Sequence, residues 1–137
     1  MTCKRQKLKS GNPLSDWFFY RMVQILNRAG TDVYLVKSFR RIFGKEWTRF
    51  TGILEPGGSS HGHEIFINNG QLRFERAATR PRDRQAIVLL HEMLHILMPK
   101  CREADIFTLE RILWASLNPD QKRFFKHYLP KRPVKNP

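Results

Sequence analysis

The sequence predicts an α+β domain: a first helix, a small sheet of about three strands, and then a run of helices. Three observations carry this. Apolar residues recur at helical spacing from Leu14 to Ala29, and short segments between Val33 and Ile67 are rich in β-branched and aromatic residues. From Ala86 to Met98 every residue except His91, Glu92 and His95 is apolar, which describes a helix surrounded by protein on nearly all sides. With 137 residues and 41% hydrophobic composition, the chain has room for one domain with a real core.

Taken in order, residues 1–12 read as a basic tail, disordered or loosely laid on the surface. Asn12-Pro13 then supplies an N-cap and an early proline, and Leu14, Trp17, Phe18, Met22, Ile25, Leu26 and Ala29 form the buried stripe of a helix that Gly30 ends. The aromatic group Trp17-Phe18-Phe19-Tyr20 is read as packing. Val33 to Val36 has strand composition, Gly44-Lys45 turns the chain, and Trp47 to Leu54 alternates as a second strand, so the two are expected to form a hairpin. Within it Arg40, Arg41, Lys45 and Arg49 interleave with Phe39, Phe43 and Trp47. That pattern suits a surface that stacks bases and binds phosphates, or else a solvated sheet face with its rings turned inward.

Glu55 to Ser60 is a loop, and His61 to Ile67 a third strand closed by Asn68-Asn-Gly70. His61 and His63 alternate onto one face of it and are candidates for a second metal site or for polarising a substrate carbonyl. Leu72 to Thr79 connects to the apolar helix, for which Thr79-Arg-Pro81 offers a cap and an early proline. Arg73, Arg76, Arg80, Arg82 and Arg84 gather there as candidate contacts to an acidic or phosphorylated ligand. Pro99 stops the helix, Lys100-Cys101-Arg102 turns the chain, and Glu103 to Leu117 returns as an antiparallel partner with Ile106, Leu109, Leu113 and Leu117 as its stripe. Asn118-Pro-Asp-Gln121 caps a last helix that Pro130 ends, leaving residues 131–137 as a basic tail and 13–130 as the domain.

The chemistry concentrates in His91-Glu92-x-x-His95. Histidines four apart on a helix project from one face about a turn along, close enough to ligate one metal ion. Glu92 lies about 100° from His91 on the helical wheel, beside the open coordination position, where it can take a proton from water. Burying a carboxylate and two imidazoles in an apolar helix is costly unless a cation pairs with them. A catalytic zinc takes three protein ligands, and the third is expected on the returning helix. Glu103 is preferred, with Glu110, Asp105 and Cys101 as alternatives. His127 or Tyr128 are candidate donors to a developing oxyanion, though their positions in the chain do not place either beside the metal.

The stretch from Ala86 to Pro119, with LLHEMLHILMP followed by READIFTLERILW, resembles the small zinc-dependent metallopeptidases of the zincin class, and most of all compact phage-type and plasmid-type gluzincins. The resemblance implies zinc on His91, His95 and Glu103, Glu92 as general base, peptide-bond hydrolysis, and a strand before the active-site helix that borders the cleft; the third strand is the choice for that border. Related zincins often show Glu-x-x-Ala-Asp, a frame that over Ala104-Asp105 places Cys101 where the glutamate stands.

The charge balance adds a partner class. Lys and Arg total 25 against 12 acids, a net charge of +13, and such a field attracts polyanions before any specific contact forms. Nucleic acid, acidic proteins or proteins bound to nucleic acid are the expected partners, and the rival reading is a basic nucleic-acid-binding accessory or regulatory protein with a structural zinc. Cys3 and Cys101 make no disulfide framework, no segment has the length of a membrane span, and the charged N-terminus is not followed by a long apolar run. A cytoplasmic protein in a reducing compartment, with no membrane partner, is expected.

Overall fold

A computed structural model of the chain describes residues 8–57, 62–74 and 80–133. Cys3, His61, Arg76, Thr79 and the side chains of Arg41 and Arg73 lie outside the described residues. The elements are α1 (Pro13–Leu26), β1 (Asp32–Val36), a short α2 (Arg40–Phe43), β2 (Gly52–Pro56), β3 (His63–Asn68), α3 (Pro81–Leu97), α4 (Glu103–Ser116) and α5 (Pro119–Lys126), with 3-10 turns at Lys45–Trp47 and Asn69–Phe74. The α+β class is as expected: helices and one small mixed sheet.

Local sequence explains most boundaries. The Asn12 side chain accepts from the backbone N–H groups of Leu14 and Ser15, and Pro13 needs no N–H where it sits. Asn118 and Gln121 form the reciprocal capping box of α5. Helix α3 begins at Pro81 without a side-chain cap. Arg82 instead donates to the carbonyl oxygens of Pro130 (2.6 Å) and Leu129, and to Gln85 Oε1 (2.8 Å), tying the start of α3 to the chain beyond α5. That guanidinium, a candidate ligand contact in the sequence, is engaged as a structural clasp within the fold.

Sheet order departs from expectation. It is β1-β3-β2, with β1 parallel and β2 antiparallel to β3, so β1 and β2 form no hairpin. Residues 45–47 form a 3-10 turn after Gly44, whose φ of 112° few other residues adopt, and the second strand begins only at Gly52. Nor is the aromatic surface exposed for stacking. Phe39 is fully buried, and Phe43 and Trp47 pack on it with Val36, Ile53 and Phe66, covering one face of the sheet.

The other face packs on α3. Val33, Leu35, Ile65, Ile67 and Leu54 point into a core that holds Ile87, Leu89, Leu90, Met93 and Leu94 of α3, closed by Met22, Ile25, Ile106, Leu113 and Phe125. Every residue of α3 from Gln85 to Leu94 is buried, so this helix is the axis against which α1, α4, α5 and the sheet are set. In α1, which stops at Leu26, Phe18 and Phe19 join the core while Trp17 and Tyr20 remain exposed. Residues 8–10 belong to the domain and not to a loose tail: the Leu8 and Lys9 carbonyls accept from Gln121 and Asn118, and Ser10 donates to Asp16.

Candidate metal centre

Three side chains from two helices converge. His91 and His95 stand one turn apart on α3, and Glu103 opens α4 after the short turn that Pro99 forces. His91 Nε2 contacts Glu103 Oε1, His95 Nε2 lies 3.0 Å from Glu103 Oε2, and the two Nε2 atoms are 3.2 Å apart. Two ligands on one tetrahedral zinc stand about 3.3 Å apart, given bonds of about 2.0–2.1 Å. The cluster fits that size and can hold a metal ion; among the described residues it is the group that can.

The alternatives sort themselves geometrically. Asp105 is exposed and pairs with Arg102, and Cys101 is exposed in the turn, so neither joins the cluster. Glu110 is buried one step behind it, with Oε1 2.6 Å from His91 Nδ1. A carboxylate can only accept, so Nδ1 donates its proton to Glu110 and Nε2 is the nitrogen that, once deprotonated, can offer a lone pair to a metal ion. Burial by itself would lower the His91 pKa, but the hydrogen bond and charge of Glu110, with Glu92 and Glu103 behind them, carry it above the ordinary value.

Glu92 is buried, and desolvation is the main reason its carboxyl is pushed up to about 7, with the charges of Glu103 and Glu110 adding to the rise against the opposing pull of His91. Its Oε2 lies against Gly52: a Cβ there would come within 3.0 Å of that oxygen and 2.9 Å of Val88 Cγ1. Gly52 is thus the gap through which β2 approaches the acid.

A cavity of about 620 Å³ opens over His91, Glu92, His95 and Glu103, walled by Trp47, the run from Arg49 to Glu55, Gln71 and Phe107. Its border is β2, not the expected third strand. The bonds Asn68 N–H to Thr51 O and Gly57 N–H to Gly62 O bracket the β2–β3 ladder, so Ile53 and Glu55 face β3 while Gly52 and Leu54 turn their peptide groups to the other edge, which no strand among the described residues pairs. β3 is central and paired on both sides. Its His63 is partly buried, with a pKa lowered by burial and by Arg28, and it does not reach the cavity. Tyr128 donates to Asn27, and neither it nor His127 lines the cavity; Gln71 is the neutral amide that does.

The positions that sequence reasoning missed are Gly52, Phe50, Phe107 and Gln71. Phe107 carried a signal, being a large apolar residue off the buried stripe of α4. Searches against protein-family models, curated proteins and solved structures find no match to this chain.

Proposed function

We propose that the protein is a zinc-dependent metallopeptidase, with His91, His95 and Glu103 as metal ligands and Glu92 as general base. The observation that carries this is the convergence of the three donors at the floor of an open cleft, with a buried acid beside them. A structural zinc is closed by four protein ligands, whereas three donors with a free side toward a cavity suit catalysis.

Zinc bound there supplies a Lewis acid that activates water and polarises the scissile carbonyl. The remaining work falls to the chain. Glu110 fixes the ring of His91 by its hydrogen bond to Nδ1. The Glu92 carboxylate, held at Gly52, accepts the proton of the attacking water and returns it to the leaving amine. The open edge of β2 offers the N–H and C=O groups of Gly52 and Leu54 to an extended peptide, which lays its backbone across the metal centre.

The cleft wall holds Glu55, Glu92 and Glu103 with Arg49 as its one cation among the described residues, so the strong positive charge is carried elsewhere on the surface. That charge supports recruitment of acidic or nucleic-acid-bound proteins by the exterior, in a reducing cytoplasmic setting. It also sustains a second reading, a basic nucleic-acid-binding accessory protein. No helix among the described residues is long and apolar enough to cross a membrane.

The deciding experiment compares zinc-loaded wild type with Glu92→Gln on a mixed peptide library, alongside metal content. Retained zinc and a loss of hydrolysis of about 10²–10⁴-fold is expected. Equal hydrolysis by both proteins, or none by either with salt-sensitive DNA binding intact, overturns the peptidase reading.

A further inference from the structure

We infer that the cleft selects peptides by a large apolar side chain, best an aromatic one, held beside the reacting carbonyl between Phe50 and Phe107. This rests on the metallopeptidase reading and names its substrate class. Both rings belong to the cavity wall, and both are left uncovered by the fold, at 51% and 40% exposure. They reach the cavity of the metal cluster from two different parts of the chain, the segment before β2 and α4. Phe107 stands one turn beyond Glu103 on α4, with its ring centroid 4.5 Å from that of His91. Phe50 stands two residues before Gly52, whose backbone lies against the Glu92 carboxylate.

Phe50 is exposed, but its backbone is pinned. Its N–H donates to Trp47 O, and its carbonyl accepts at 2.9 Å from the buried side chain of Asn68, which also donates to Thr48 O. Its ring leans on Trp47 at 5.0 Å between centroids, and Trp47 is itself packed on the second core cluster. Such a ring is a preformed contact, so little ordering has to be completed on binding. A peptide extended along the edge of β2 projects alternate side chains to either side of its own backbone. Those next to the reacting carbonyl meet one of the two rings, where aromatic pairs gain from edge-to-face contact beyond simple burial.

The test uses two probes that bind metal through the same group, acetohydroxamate and 3-phenylpropanohydroxamate, titrated calorimetrically into the zinc-loaded full chain. The phenyl probe is expected to bind at least about tenfold more tightly, because the added side chain is buried against aromatic rings. Adding Phe107→Ala or Phe50→Ala should shrink that ratio to about threefold or less, with Phe→Leu at either position intermediate. Equal affinities for the two probes, or a ratio untouched by both alanine variants, overturn the subsite and leave the metal centre standing. Failure to take up zinc, or zinc uptake without acetohydroxamate binding, instead overturns the metallopeptidase reading and this inference with it.

Discussion

Glu110 accepts a hydrogen bond from Nδ1 of His91 at 2.6 Å, with both side chains buried where α4 packs on α3. A carboxylate in that place orients the imidazole and raises the basicity of its other nitrogen. Replacing Glu110 with Gln keeps the volume but loses the charge, so zinc affinity should drop by about 10–100-fold with little change in the far-ultraviolet dichroism. Competition against a chromophoric chelator measures this. Wild-type affinity in Glu110→Gln would leave the pair with a packing role alone.

Protonation at the site also sets how stability depends on pH. Burial and neighbouring acids lift Glu92 from 4.5 to about 7, and His91 also lies above its ordinary value. In the metal-free protein both groups hold protons more tightly folded than unfolded. Stability therefore falls as pH rises, through Glu92 between 4.5 and about 7 and through His91 above 6.5. The Glu92 shift alone corresponds to about 3 kcal/mol. Zinc needs unprotonated imidazoles, so its stabilising effect grows in the direction in which the metal-free protein weakens. Thermal melts from pH 5 to 8 should show the two curves diverging as pH rises, and Glu92→Gln should flatten the metal-free curve. Parallel curves would contradict the assignment.

Gly52→Ala is a steric test of the same acid. The added methyl meets Val88 Cγ1 at 2.9 Å and Glu92 Oε2 at 3.0 Å, and one face of β2 must move to admit it. We expect a stability loss of about 1–3 kcal/mol by denaturant titration, from overpacking. The displaced Glu92 should reduce peptide hydrolysis more than it reduces zinc binding, since His91, His95 and Glu103 are left in place.

The convergence of His91, His95 and Glu103 was legible in part from helix geometry, as a four-residue spacing on α3 and then an acid just past a proline-stopped turn, although that turn left Glu110, Asp105 and Cys101 open beside Glu103. The sheet was not legible in the same way. Val33 to Val36 and Trp47 to Leu54 each look like strands, but nothing local says that β3 inserts between them or that residues 45–47 coil into a 3-10 turn beside which Trp47 packs on Phe43. The clasp of Leu8 and Lys9 onto Gln121 and Asn118 spans more than a hundred residues, beyond any window a periodicity can sense. Glu110 was an alternative to Glu103; that its carboxylate stands behind His91, at Nδ1, depends on how α4 packs against α3.

Asn68 is the least conspicuous of the residues that shape the cleft. Its side chain donates to the Thr48 and Phe50 carbonyls from a buried position at the end of β3. Asn68→Ala strands both acceptors and should cost about 1–3 kcal/mol of stability. Because the loosened segment carries Phe50 and not the metal ligands, KM for peptides should rise more than kcat falls. An equal loss in both would point instead to general unfolding of the site.

The exposed margin of β2 has one further outcome. Unpaired peptide groups invite any extended chain, including the sheet of a neighbouring molecule, and proteins with long bare margins clump. Here the invitation is brief: Pro56 has no N–H to offer and Glu55 adds a charge beside it, so only Gly52 and Leu54 present both partners of a ladder. A strip that short can hold a flexible segment for one turnover, yet it is too small a template for fibril-like stacking at high concentration.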